Sequence, residues 1–233
     1  MAVQNILPDP NNVISPAGDN GGGSNGPGFA SVKLSSEQPI MRDRTNGGTV
    51  VSRAFRYHSW DIEISYNPLT KTEFDPVYSF LLEKRGSLKP FYVSLPQYRG
   101  NSLDTTTTAA ASAGQNQLTL TGYATLASNA KVGDLFHIVD SNDSTHTKAY
   151  KVVRVETAAD KHDDTTYDIS PDPTGDQRRI TFNPPLKKAV SSGAAVKLNI
   201  PLIYVIQSGD IQEYSLGVNS LYSFSLKLEE ACY

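Results

Sequence analysis

From Trp60 to Tyr66 the chain alternates strictly: Trp60, Ile62, Ile64 and Tyr66 are large and apolar or aromatic, while Asp61, Glu63 and Ser65 between them are polar. Successive side chains of a strand point to opposite faces, so this period of two demands a sheet with one buried and one solvated face. The same alternation returns at Phe91, Val93 and Leu95. It closes the chain at Tyr222, Phe224, Leu226 and Leu228, interleaved with Ser223, Ser225 and Lys227. A final strand so close to residue 233 is expected to lock into the sheet that contains Trp60. The chain therefore reads as all-β, with one sandwich built from discontinuous sequence. Composition agrees: charged residues are 19%, below the roughly 25% of ordinary globular domains, and Ser, Thr, Asn and Gly take their place. The expected core comprises Trp60, Ile62, Ile64, Phe74, Val77, Leu81, Phe91, Val93, Phe224 and Leu226.

One short α-helix interrupts the strands. Phe74, Val77, Tyr78, Leu81 and Leu82 fall on a single helical stripe. Thr70 and Glu73 have capping-box spacing, and Gly86 after Arg85 is a natural stop. Pro76 leaves two starts open: Thr70 as cap with an irregular first turn, or Asp75 as cap with Pro76 in first position. Lys84, Arg85 and Lys89 read as cations at the helix C-terminus, where the exposed carbonyls favour positive charge.

Three regions are expected. Residues 1–28 form an arm, because Gly, Pro and Asn dominate residues 8–28 and bury too little to offset ordering. The arm is either solvated throughout or ordered against a neighbouring subunit, with Ile6, Leu7, Val13 and Ile14 as anchors. Residues 29–103 plus 200–233 form the core domain, where large residues return at Leu202, Tyr204 and Ile206. Residues 104–199 form an inserted small β-barrel, OB-like in scale, after a polar low-complexity stretch at 100–116 that reads as a linker. Its strands are expected at 117–121, 134–139, 149–156, 167–170, 178–183 and 195–198, a spacing typical of small barrels. With few large aromatics in this region, its core is expected to be modest.

Catalytic and ligand-binding constellations are missing from the sequence. His58, His137, His146 and His162 lie at no metal-ligand spacing. His146 and His162 read as solvated loop residues, and His58, which shares a strand face with Trp60, as a packed core or interface residue. Asp160, His162, Asp163 and Asp164 lack the spacing of a calcium loop and read as a solvated turn. Gly21-Gly22-Gly23 does not join a strand to a helix, so it is no phosphate loop. Glu229 and Glu230 point to opposite faces of a strand and cannot share one glycosidic bond. No catalytic residue, cofactor or metal is assigned. The lone Cys232 excludes an intramolecular disulfide and leaves a free thiol or an intermolecular bridge. A formal charge of -3 without a basic stripe argues against nucleic acid. No apolar run of membrane-spanning length occurs and no signal peptide opens the chain, so a soluble protein made in a cytosol is expected.

Several segments in order resemble the distal tail proteins and related minor tail proteins of tailed bacteriophages. The first is Arg56-Tyr57-His58-Ser59-Trp60-Asp61-Ile62-Glu63-Ile64-Ser65-Tyr66-Asn67-Pro68-Leu69-Thr70. Then come Phe74-Asp75-Pro76-Val77, Phe80-Leu81-Leu82-Glu83-Lys84-Arg85-Gly86 and Pro90-Phe91-Tyr92-Val93-Ser94-Leu95-Pro96. Val132-Gly133-Asp134-Leu135-Phe136, Tyr150-Lys151-Val152-Val153 and Ile180-Thr181-Phe182-Asn183-Pro184-Pro185-Leu186 are similar to the inserted domain of that group. Tyr222-Ser223-Phe224-Ser225-Leu226 is similar to its last strand. The resemblance covers about residues 45–233, and the glycine-rich arm departs from it. It implies a galectin-like β-sandwich, a homo-oligomer of six copies in a ring at the tail tip or baseplate, and an outward-facing insertion. Tail tube protein and tail hub or tip protein are the implied partners, with receptor-binding proteins meeting the insertion. The implied location is the virion, assembled in the host cytoplasm.

Two other readings stay open. One is a different virion component, such as a tube, completion or wedge subunit. The other is a carbohydrate-binding module, with Trp60 or Tyr123 stacking on a sugar. An enzyme ranks behind both for want of a catalytic constellation.

Overall fold

The computed structural model describes residues 5–8, 13–14, 20–21, 29–55, 57–121, 129–161, 172–209 and 213–231. In chain order the strands are β1 (Val13–Ile14), β2 (Asn20–Gly21), β3 (Phe29–Glu37), β4 (Ile40–Arg44), β5 (Val50–Ala54), β6 (Ser59–Tyr66) and β7 (Phe91–Val93). Helix α1 (Lys71–Lys84) lies between β6 and β7. There follow β8 (Thr105–Thr106), β9 (Gln117–Leu120), β10 (Leu135–Val139), β11 (Ala149–Glu156), β12 (Arg178–Asn183) and β13 (Ala195–Lys197). The last three are β14 (Ile203–Gln207), β15 (Tyr214–Leu216) and β16 (Tyr222–Glu230). The chain is mostly β, as its patterning requires. It divides into two compact units: residues 1–92 with 205–232, and residues 93–204.

The first unit is built on a sheet with order β3-β6-β16-β14-β7, and β15 pairs with the start of β16. The last strand does lie beside the first patterned one, with Leu226 opposite Ile64 and Leu228 opposite Ile62. Trp60, Ile62, Ile64 and Tyr66 are buried together with Phe224, Leu226 and Leu228. Ser223, Ser225 and Lys227 on the opposite face of β16 are exposed. Among the described residues, the second layer expected of a sandwich is supplied by α1. Its Phe74 ring stacks on Tyr222 at 4.5 Å and meets Phe224 edge-on at 5.9 Å. Phe80 meets Phe91 at 5.3 Å. Phe74, Val77 and Leu81 are buried, but Leu82, placed on the same stripe by its spacing, is 52% exposed.

The helix resolves the ambiguity at its start. Thr70 is the cap, with its backbone N–H donating to Glu73 Oε2 at 2.9 Å. Pro76 therefore sits inside the helix, at a position that costs an isolated helix about 3 kcal/mol, and apolar burial of the stripe overrides the penalty. The helix ends one residue earlier than the glycine stop: Arg85 itself takes the left-handed conformation at φ 56°, and Gly86 follows at φ 65°. Lys84 does not face solvent; it is buried, with its ammonium 4.6 Å over the Phe80 ring.

The second unit is a barrel. Its sheet runs β8-β13-β10-β11-β12-β9, and the two end strands meet. Thr107 bridges Leu120, Thr108 N–H donates to the Thr119 carbonyl at 2.8 Å, and Thr121 N–H donates to the Thr106 carbonyl at 2.8 Å. The stretch 100–116 is thus no linker. Its β-branched threonines supply the closing strand, and Thr107 is buried with its hydroxyl donating to the Ser191 carbonyl at 2.8 Å. The interior holds Leu118, Leu120, Ile138, Val152, Ile180 and Val196 around a trio of rings. Phe136, Tyr150 and Phe182 lie within 5.5 Å of one another. These aromatics make the core fuller than their small number in the sequence implies.

The chain's way into and out of the barrel is clasped. Asp104 Oδ1 accepts from the backbone N–H groups of Leu198 and Asn199, each at 2.9 Å, and Oδ2 accepts from Lys197 Nζ at 2.9 Å. Gly100 N–H adds a bond to the Asn199 carbonyl at 2.8 Å. Burial acts to raise the Asp104 pKa, but the Asn199 and Leu198 amides and the Lys197 charge outweigh it and hold the carboxyl below its usual range. The clasp joins residues 104 and 199, the ends of the expected insertion.

Candidate assembly surface

Beyond the main sheet, β3 and β6 continue outward as β4 and β5, so residues 29–66 form one long antiparallel arm. Its inner half pairs Val32 with Ile64 and Leu34 with Ile62. Its outer half pairs Ile40 with Ala54, Met41 with Arg53 and Arg44 with Val50. Every described side chain of the outer half is exposed on both faces, including Ile40, Met41, Val50 and Val51 at 48 to 60%, with Phe55 at its base. A two-stranded hairpin alone is only marginally stable in water, and large exposed apolar residues in a cluster mark an interaction surface. Alternation in the sequence begins only near Thr49, so this arm was not expected; Asn46-Gly47-Gly48 is the turn signal by which it could have been found.

The opposite edge of the same sheet is β7. Residues 5–8 run along it in parallel: Ile6 bridges Tyr92, Leu7 N–H donates to the Tyr92 carbonyl, and Tyr92 N–H donates to the Asn5 carbonyl, both at 2.8 Å. Leu7, expected to anchor a neighbour, is 3% exposed within its own chain, and Ile6 is half-buried. For the other two anchors, the backbones of Val13 and Ile14 pair with Gly21 and Asn20, and their side chains lie outside the described residues.

No ligand site of comparable definition is present among the described residues. A cleft of about 490 Å³ in the second unit is lined by Ala110, Ser112, Asp140, Asn142, Val190 and Ser191 among others, with no aromatic ring. Asp140 there is occupied by the backbone amides of Ser191 and Asn142, which hold its carboxyl below the usual range. Trp60 is 4% exposed and cannot stack on a sugar, and Tyr123 lies outside the described residues. No group of three or more His, Cys, Asp or Glu among the described residues is placed to hold a metal; the turn at 162–164 lies outside them. Nor is any described helix long and apolar enough to cross a membrane.

The histidines are structural where they are described. His58 packs edge-on against Trp60 at 4.6 Å and meets Ser36 Oγ at 3.0 Å. His146 is not the solvated loop residue its polar neighbours imply: it is 6% exposed, and its Nε2 lies 2.8 Å from the Tyr150 hydroxyl. His137 Nδ1 accepts from Leu202 N–H at 3.1 Å. His162 and Cys232 lie outside the described residues.

An open sheet with one projecting arm, joined in sequence to a sealed barrel, defines a β protein whose distinctive described surfaces suit pairing with other chains. Comparisons with known proteins give the family. A family model for the distal tail protein pb9, A domain, N-terminal, matches residues 19–98, and one for the pb9 B domain matches residues 97–182. The distal tail protein pb9 of Escherichia phage T5 is 32% identical over 164 residues, covering 68% of this chain and 76% of that protein. The chain belongs to the phage distal tail protein pb9 family. It is thus a structural protein of a bacteriophage tail. The match starts at residue 19, so it includes part of the glycine-rich segment that the resemblance had left out.

Proposed function

We propose that this distal tail protein is a non-enzymatic ring subunit. Six copies encircle the tail tip or baseplate and join the tail tube to the hub and receptor-binding apparatus, after assembly in the host cytoplasm. The observation that carries this reading is the outer hairpin β4–β5. It adds nothing to its own unit's core, exposes apolar residues on both faces, and projects past the end of the sheet as a continuation of β3 and β6, as a head-to-tail contact between copies needs. A closed ring satisfies every such contact at once. Among the described residues the two end strands of the barrel meet each other, and the barrel is suited to face outward toward receptor-binding proteins. Non-enzymatic action is supported by membership of a family of distal tail proteins.

The test is assembly. Met41→Asp with Val51→Asp loads one hairpin face with charge, and Ile40→Asp with Val50→Asp loads the other. Mass photometry and negative-stain images of the unaltered chain, with tube protein added where needed, are expected to show rings. At least one double variant is expected to remain monomeric with an unchanged melting temperature. Monomers throughout for the unaltered chain, even with tube protein, would overturn the ring.

A further inference from the structure

The strand formed by residues 5–8 lies on the wrong side of its own sheet for a short connection. The chain enters the sheet at β3, which is one edge, while residues 5–8 pair with β7, which is the other edge. Between them stand β6, β16 and β14. At about 4.8 Å per strand, the strand at residues 5–8 and β3 stand roughly 24 Å apart across the sheet, and no described residue of 9–28 pairs with that sheet. Within that segment Val13–Ile14 and Asn20–Gly21 pair only with each other.

We propose that in the assembled ring residues 5–8 exchange between copies, each supplying the terminal strand beside β7 of the next copy. This rests on the head-to-tail ring proposed above. The exchange requires that the β3 edge of one copy adjoin the β7 edge of its neighbour in that ring, which makes the neighbour's β7 the nearer of the two docking sites. The contacts are the same in either place: Leu7 fills one apolar site, and two backbone hydrogen bonds form with Tyr92. Only the path differs, and about twenty residues have contour length enough for both. Exchange of an identical element adds no new surface and loses no contact once the ring closes. It covers a sheet edge with a strand of matching register, the usual mode of strand addition. The partner is therefore a second copy of this chain, and the single-chain arrangement is its closed, unassembled form.

Ile6 and Tyr92 are bridged partners, so their side chains lie on one face of the pair and suit a disulfide. The test uses the full chain with Cys232→Ser, Ile6→Cys and Tyr92→Cys. Mild oxidation follows assembly, and non-reducing gels are run beside mass photometry of the same sample. The expected result is intramolecular closure in the monomer fraction and covalent multimers, up to the ring number, in the ring fraction. A mixture of differently tagged single variants is expected to join 6 to 92 between chains well in excess of 6–6 or 92–92 products. Rings that yield only intramolecular closure overturn the exchange and leave the ring standing. Interchain 6–92 products in assemblies that are not rings uphold the exchange and sink the ring. Monomers that give intramolecular closure alone overturn both.

Discussion

Two polar groups of the second unit show how single residues set this protein's stability. Arg179 is wholly buried in the barrel, where Nε and Nη2 reach Glu156 Oε2 at 2.7 and 2.5 Å and Nη1 reaches Asp172 at 2.9 Å. Removing one member of a buried pair strands the other's charge, typically at about 3–5 kcal/mol. Glu156→Gln is therefore expected to lower the urea midpoint sharply, while Lys161→Ala, at the exposed end of the network, does little. His137 works through pH. Burial pushes its pKa down to about 4; Asp104 opposes this, while Lys197 and His146 add to it. Burial lowers His146 as well. The unfolded chain holds its histidine proton up to about pH 6.5, so stability is complete above that value. It falls as pH drops toward 4, by up to about 3 kcal/mol for His137. His137→Asn, which keeps an acceptor for Leu202 N–H, should flatten the difference between urea midpoints at pH 4.5 and pH 7.5. An equal pH dependence in both proteins would locate the effect elsewhere. None of these roles was legible in the sequence, since Arg179 and His137 alternate with the inward-facing Ile180, Phe136 and Ile138, and their partners Glu156, Asp172, Asp104 and Leu202 come from other segments of the chain.

Elements were legible where alternation had a phase. Strands β9, β10, β11, β12 and β13 fall within a residue or so of their expected bounds, because turn residues punctuate short apolar runs; residues 167–170 lie outside the described residues. The run Leu202-Ile203-Tyr204-Val205-Ile206 is apolar throughout and carries no phase. There the inward set is Ile203, Val205 and Gln207, while Leu202, Tyr204 and Ile206 are half-buried. A one-residue slip turns a whole strand over, and only pairing with β16 decides it. Strand β3 escaped notice because an edge strand buries little: it holds Phe29, Val32 and Leu34 among Ala, Ser, Lys and Glu. Of the assembly surface, the composition of the first 28 residues marked the arm, but the hairpin's exposure depends on its projecting past the sheet. For α1, Leu81 is 0% exposed, so Leu81→Ala is expected to cost about 2–5 kcal/mol and to lower the melting temperature visibly. Glu83→Ala, two residues on, should stay within about 0.5 kcal/mol. If Leu81→Ala melts normally yet blocks assembly, the stripe is a docking face rather than core.

At the scale of the whole molecule, the two units differ in how they treat their edges. The first pairs its β7 edge with residues 5–8, leaves its β3 edge without a further strand among the described residues, and lets β3 and β6 run on into a bare hairpin. The second seals its edges against each other and has its own core, so residues 93–204 expressed alone are expected to give a dispersed NMR spectrum with β-type shifts. A collapsed spectrum would show that its strands need the rest of the chain. The Asp104 clasp carries a mechanical consequence. Because the incoming and outgoing strands are tied within hydrogen-bond distance of each other, tension travelling along the backbone from residue 100 to residue 199 crosses at the clasp and never enters the barrel. Asp104 behaves as a shunt: the barrel hangs off the load path, and a pull on the first unit leaves it unstretched until the bonds to Leu198 and Asn199 give way.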